Sequence, residues 1–240
     1  MRRFVAPADA VVGGRVTLAG REAHHLAVVL RLGPGDRVLV VDGSGREHIV
    51  RLTDVRPDEV LGEVLETRPG LTAPLDLVLV QGVPKGRKMD DIVRMGTELG
   101  VSAFIPALTL RSVAQGRDRA ARWRRIAAEA TKQCRRADLP EVADPVPLAT
   151  ALERVAGADL LLLLWEGESM RTLADVLRDA APRRVALLVG PEGGFDQAEV
   201  RQAVRCGAVP VTLGPLTLRT ETAGMVAAAM VLYELTLRRI

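Results

Sequence analysis

The chain has 240 residues, 48% of them hydrophobic and 26% charged, with a formal net charge of +3. This composition excludes a disordered chain and supplies enough apolar material for one large domain or two smaller ones. The longest apolar runs, at 160–165 and 223–233, fall short of the ~20 residues a membrane span needs, and Met1-Arg2-Arg3 is not followed by a signal-peptide core, so a cytoplasmic protein with no membrane partner is expected.

Met1 to Val5 starts a short strand, and Arg21 to Leu32 has roughly helical apolar spacing up to the break at Gly33-Pro34-Gly35-Asp36. The period then changes to two. Arg37–Val41, Arg46–Asp54 and Glu59–Glu66 read as strands, joined by turns at Asp42-Gly43-Ser44-Gly45 and Arg56-Pro57-Asp58. No helix follows Asp42-Gly43-Ser44-Gly45, so it reads as a hairpin turn and not a nucleotide loop. The result is a small β-rich domain over 1–70, ended by a linker, Arg68 to Pro74, with two prolines and a glycine.

A second domain is expected over 74–240. Leu75–Gln81 reads as a strand, Lys88–Leu99 as a helix stopped by Gly100, and Val101–Pro106 as another strand, a βαβ order that argues for a parallel sheet. From Arg117 to Ala137 a helix places Trp123, Ala127, Ala130 and Cys134 on a packing face, with Arg122, Arg125, Lys132 and Arg136 on or near another. Residues 111–136 carry nine basic residues against Asp118 and Glu129. A local excess of that size attracts phosphate backbones, although a solvated surface helix also accounts for it. Cys134 and Cys206 lack zinc spacing and read as free thiols, and the three histidines add no metal signature, so no metal is expected.

Pro140–Pro147 reads as an extended connector, Leu148–Val155 and Leu173–Ala180 as short helices, and Leu160–Trp165 as a buried strand ending in Glu166-Gly167-Glu168. Val185–Val189 is another buried strand, cut off by Gly190-Pro191. Asp196-Gln197-Ala198-Glu199 then has the form of a capping box with Asp196 as N-cap, and Gly193-Gly194 lets the backbone before it approach a ligand. Val209–Leu213 repeats the pattern through Gly214-Pro215 into a last helix, Glu221–Arg238, apolar nearly all round. Such a helix is buried on more than one side, inside one subunit or against a second copy. Each glycine-ended loop alone is an ordinary strand-to-helix turn. Parallel sheets, however, bind ligands at these strand ends, and no Gly-x-Gly-x-x-Gly follows the first strand of either domain.

Taken together, Gly190-Pro191-Glu192-Gly193-Gly194 followed by Leu213-Gly214, Leu218-Arg219 and Thr220-Glu221-Thr222-Ala223 resembles the cofactor site of the SPOUT class of RNA methyltransferases. Within it the chain is similar to the RsmE family of 16S ribosomal RNA (uracil-N3)-methyltransferases. Further matches are Lys85, Thr97 to Val101, Pro106, Arg111-Ser112-Val113, Glu129, Gln133 and Arg136. The first domain matches more loosely, through Arg3-Phe4, His25, Val29-Leu30-Arg31, Gly35-Asp36 and Asp42-Gly43. Met95 departs from the pattern, standing where many members have lysine.

The resemblance implies an N-terminal PUA-like β-barrel, a C-terminal α/β domain with a parallel sheet and deep trefoil knot, and a homodimer. It implies S-adenosyl-L-methionine as cofactor, held by Leu164, Trp165 and Glu166 after one strand and by Leu188 to Gly193 (Leu188, Val189, Gly190, Pro191, Glu192, Gly193) around the second. Leu213, Gly214, Leu218, Arg219 and Thr222 complete that set. The expected substrate is 16S rRNA or the small ribosomal subunit, contacted by Arg3, Arg111, Arg122, Arg125, Lys132 and Arg136. Loss of the uracil N3 proton leaves an anion that a guanidinium stabilises, which makes Arg219 the first catalytic candidate. Glu221 is a candidate proton acceptor or simply a helix-start anion. Two rival readings are a related methyltransferase acting on another base or a ribose 2′-hydroxyl, and a non-enzymatic RNA-binding assembly factor.

Overall fold

The computed structural model describes residues 1–112 and 119–237. The expected helical residues Arg117 and Asp118, Val113 of the family match, and Arg238 at the end of the last helix lie outside them. The chain divides into two compact units, Met1–Thr72 with Thr131–Leu139, and Ala73–Ala130 with Pro140–Ile240.

The first unit is built on strands β1 (Arg3–Val5), β2 (Val11–Val12), β3 (Arg15–Ala19), β4 (Arg37–Val41), β5 (Arg46–Val55) and β6 (Glu59–Pro69). They form one sheet in the order β1-β4-β5-β6-β3-β2. The sheet curls around a single core of Phe4, Val16, Leu18, Val38, Val40, Val50, Leu52 and Val60, with Ala23 and Leu26 from the short helix α1 (Gly20–His24) and the π-turn after it. The outermost strands β1 and β2 do not pair, so the curl is a half-barrel. Gly62 lets β5 and β6 close up, since a Cβ there would lie 2.3 Å from the Val50 side chain. The expected linker begins too early: Arg68 and Pro69 still pair with Glu47 and Arg46 in β6. A terminal strand position needs no amide from proline, so its presence did not end the strand sooner.

The second unit contains β7 (Asp76–Gly82), β8 (Ala103–Leu108), β9 (Glu141–Val142), β10 (Val146–Pro147), β11 (Leu160–Leu164), β12 (Arg184–Val189) and β13 (Val209–Val211). All are parallel, in the order β10-β8-β7-β12-β11-β13 with β9 beside β8. Helices α2 (Lys88–Leu99), α3 (Arg119–Cys134), α4 (Leu148–Arg154), α5 (Leu173–Leu177), α6 (Gln197–Arg205) and α7 (Thr220–Leu232) connect them.

The continuous apolar runs are explained by burial on both faces. Leu77, Leu79, Leu162, Val185, Leu187 and Val189 point into a core with Ile92, Trp123, Ala227 and Val231. Their sequence neighbours Val78, Val80, Leu161, Leu163, Ala186 and Leu188 point into the opposite core with Leu152, Val200 and Ala203. A strand covered on both sides has no polar face, which is why alternation is missing from its sequence. Among the described residues no helix is long and apolar enough to cross a membrane.

Candidate active site

Strand β11 lies between β12 and β13, and its last residue, Leu164, is in register with Val189 on one side and Val211 on the other. Three strands therefore end at one level, and the loops that follow them start side by side. Trp165 N–H continues the pairing to Val211 O at 3.3 Å before the chain turns away.

The loop after β12 is the tightest part of the site. Gly194 has φ +66, and a Cβ on it would fall 2.5 Å from Oε1 of Glu166. The left-handed backbone and the carboxylate lying over it both require glycine here. Gly190 is held just as closely, since its Cβ would meet the backbone of Gly194 at 3.0 Å. At Gly193, the neighbour is the Arg111 side chain at 3.2 Å, a contact that a flexible residue can yield. Glycine is thus demanded at Gly190 and Gly194 by the packing of the loop on itself and on Glu166. The loop then enters α6 through the capping box: Asp196 accepts from Ala198 N–H at 2.9 Å and Glu199 accepts from Asp196 N–H at 2.8 Å.

Leu188 and Val189 bury their side chains in opposite cores, so only their backbone borders the loops. Leu164 and Leu213 are half-buried against the first core and Trp165 against the second. The indole of Trp165 lies over Gly167, whose Cβ would come within 2.4 Å of the ring. Pro191 is buried and packs its ring on Gly82 at the end of β7. In the loop after β13, Gly214 and Leu216 are exposed, and the backbone N–H groups of Leu216, Thr217 and Leu218 form no hydrogen bond among the described residues. Thr222 is exposed on the first turn of α7.

Three residues absent from the expected site tie these loops together. Gln81, fully buried at the end of β7, donates through Nε2 to Gly82 O at 3.0 Å, Gly190 O at 3.3 Å and Thr220 Oγ1 at 2.9 Å. Thr220 Oγ1 itself donates to Gly190 O at 2.5 Å. Lys88, the first residue of α2, sits 2.8 Å from Glu192 Oε1 and 3.6 Å from Glu221 Oε2. The backbone N–H of Lys85 also donates to the Glu192 carboxylate, at 3.1 and 3.2 Å. Burial pushes the Glu192 carboxyl up, but the hydrogen bonds from Lys88 and Lys85 outweigh it and hold the group below its ordinary value. The hydrogen bond to Glu192 in turn raises Lys88. A polar residue ending an apolar strand, as Gln81 does, was the available signal, and Thr220 stands in the matched Thr220-Glu221-Thr222-Ala223 stretch; Lys88 carried none beyond its place at a helix start.

Of the two catalytic candidates, Arg219 is the N-cap residue of α7, with an exposed side chain that makes no ion pair among the described residues. Glu221 faces Lys88. The expected RNA-contacting residues divide. Arg111 bonds to Gly193 O at 2.5 Å and approaches Asp196 at 3.6 Å, so it braces the glycine loop. Arg122 is bound by Asp90 through both Nε and Nη2, while Arg125 is exposed and unpaired among the described residues. In the first unit, Arg3 pairs with Glu47 at 2.7 Å and donates to Arg135 O, Lys132 pairs with Glu22, and Arg136 pairs with Asp138 at 2.6 Å. Five basic residues of the stretch, Arg111, Arg122, Arg124, Lys132 and Arg136, therefore have a carboxylate partner. Among the described residues no cluster of histidine, cysteine and carboxylate groups could hold a metal ion.

Residues 72–232 match the RNA methyltransferase domain family, and residues 18–65 match the RNA methyltransferase PUA domain family. The chain is 34% identical to ribosomal RNA small subunit methyltransferase E of Bacillus subtilis (strain 168), over 93% of this chain and 91% of that protein. It is 35% identical to the protein of the same name from Synechocystis sp., over 95% of this chain and 76% of that one. A crystal structure of ribosomal RNA small subunit methyltransferase E from Neisseria gonorrhoeae, bound to S-adenosyl methionine, superposes with a TM-score of 0.84 at 32% identity, covering 97% of each chain. With one family match spanning most of its second unit and such relatives along nearly its whole length, the chain belongs to the ribosomal RNA small subunit methyltransferase E family.

Proposed function

We propose that this protein transfers a methyl group from S-adenosylmethionine to N3 of a uridine in 16S rRNA of the small ribosomal subunit. The observation that carries the reading is the alignment of three parallel strand ends, with Leu164 in register between Val189 and Val211, so that three glycine-bearing loops border one place. The residues there fit the cofactor. Gly214 has open space where a Cβ would stand, unbonded N–H groups at 216–218 suit the edge of an adenine, and Leu164, Trp165, Leu213 and Leu216 supply apolar walls. Lys88, the cation beside the loop, is already neutralised by carboxylates and so does not repel a sulfonium.

When bound, S-adenosylmethionine supplies an electrophilic methyl group. The protein's part is to hold the uracil as N3 gives up its proton to solvent water and to stabilise the charge left on the flanking carbonyl oxygens. Arg219 takes that second role: it is held at the mouth of the loops by Thr220, whose hydroxyl is bonded to Gly190, and its own guanidinium is uncommitted. Glu221, paired with Lys88, serves as an anion at the helix start, where the dipole favours it. RNA contact falls to cations with free faces, Arg125 above all, and the knotted threading of the family belongs to the same reading. The exposed apolar side chains along α7 and its continuation, Val226, Tyr233 and Leu237, support a homodimer through that face. Calorimetry with S-adenosylmethionine, followed by methyl transfer to small-subunit RNA, tests the function; a folded protein with no cofactor affinity would be a binder and not an enzyme.

A further inference from the structure

Resting on that reading, we propose that Lys88 is a positioning residue for the methyl-transfer site, a charged strut that holds the glycine loop at 190–194 against the start of helix α7. Lysine opens α2, where the helix dipole disfavours a cation, so local helix stability does not explain it. Its ammonium instead lies between two carboxylates from different elements: Glu192 in the loop after β12, and Glu221 in the first turn of α7. Oε2 of Glu221 is shielded from solvent and accepts no hydrogen bond, which leaves the ammonium 3.6 Å away as its compensation among the described residues. Without that cation two anions would face each other across the junction between loop and helix. The ties of Thr220 to Gly190, of Lys85 N–H to Glu192 and of Arg111 to Gly193 would persist, while the Glu192 carboxylate, left facing Glu221, would draw its part of the loop away from the start of α7.

A strut acts on where the loop sits and not on the reacting atoms, so its loss should appear chiefly in cofactor affinity. Lys88→Met is expected to raise the Kd for S-adenosylmethionine about tenfold, equivalent to one lost charge-assisted contact, while kcat at saturating cofactor changes by less than about threefold. Lys88→Arg should restore most of the affinity. The double variant Lys88→Met/Glu192→Gln should bind more tightly than Lys88→Met alone, because one of the two opposed charges is gone. Calorimetry on each full-length variant reads all of this directly. If wild-type protein fails to bind S-adenosylmethionine, the functional reading falls; if wild type binds and Lys88→Met binds equally well, the strut falls and that reading stands. A lower melting temperature with unchanged Kd likewise overturns the strut. Should Lys88→Met not fold, Lys88→Gln, which removes the charge but stays polar, carries the same test, with weakened binding expected and equal binding contradicting it.

Discussion

The hydroxyl of Thr220 donates to the carbonyl oxygen of Gly190 at 2.5 Å, joining the first residue of α7 to the first residue of the glycine loop. These residues are thirty apart in sequence, and the bond fixes the start of α7 and with it Arg219 at the N-cap. Removing it should therefore disturb stability and cofactor binding together. Thr220→Val keeps the side chain's shape and leaves Gly190 O with only the longer bond from Gln81. An unfolding free energy lower by about 1–2 kcal/mol is expected, with weaker S-adenosylmethionine binding. Denaturant titration and calorimetry check this, and a variant unchanged in both would show that the hydroxyl is not structural.

Two adjacent glycines should respond very differently to the same methyl group. Gly194→Ala places a Cβ at φ +66 against the Glu166 carboxylate, whereas Gly193→Ala meets only the Arg111 side chain. The backbone cost alone is about 1–2 kcal/mol for the first and near zero for the second. Cofactor affinity should fall at least about tenfold in Gly194→Ala and far less in Gly193→Ala. Equal effects would mean that the loop is looser than its geometry.

Arg219→Ala should lower turnover at saturating RNA and cofactor by ~10²–10³-fold, the usual loss for an electrostatic stabiliser, with a smaller change in S-adenosylmethionine affinity. Single-turnover rates check this. A fall in cofactor affinity alone would make Arg219 a carboxylate clamp, and a fall in RNA affinity alone would make it a phosphate contact.

The pairing of Glu192 with Lys88 also sets a pH window. The carboxyl is held below its ordinary 4.5, so its contribution is present above that value and is lost as pH falls through the depressed one. The ammonium is raised above its ordinary 10.5, so its contribution is present below that value and is lost only as pH rises through the raised one. The pair's contribution to stability should be flat from about pH 6 to 9 and fall in acid. Thermal unfolding of wild type against Glu192→Gln checks this, and a difference between them that titrates near neutrality would point to a different group.

The basic residues separate into two experimental classes. The Arg136 side chain is 7% exposed and paired with Asp138, which is partly exposed, so Arg136→Ala should destabilise the first unit by about 1–2 kcal/mol through the lost charge-assisted bonds. Arg125→Ala should leave stability within about 0.5 kcal/mol and flatten the salt dependence of RNA binding by about one unit of slope. Thermal unfolding and binding at several salt concentrations distinguish them. An unaltered slope would make Arg125 a solubilising residue.

Much of this was legible in the sequence because strong local signals agreed. Lys88–Leu99 was readable end to end, since its apolar spacing stops at Gly100, which adopts the left-handed cap the residue type permits. Asp196 and Glu199 formed the capping box their spacing announced. The strands β2, β9 and β10 were missed because two residues carry no periodicity. The pairing of the basic stretch was hidden for a different reason: Asp90, Asp144 and Glu22, which engage Arg122, Arg124 and Lys132, are remote in sequence, and charge counted along the chain ignores partners brought by folding. Lys88 was invisible for the same cause, since its significance lies in what it touches.

The most direct test of the account is to incubate the protein with small ribosomal subunits and methyl-labelled S-adenosylmethionine, then digest the 16S rRNA and identify the labelled nucleoside by mass spectrometry. Label is expected in 3-methyluridine at a single position, reduced in Gly194→Ala at limiting cofactor and strongly slowed in Arg219→Ala. Label on a ribose 2′-oxygen or another base, or no label from a protein that binds both RNA and cofactor, would contradict it.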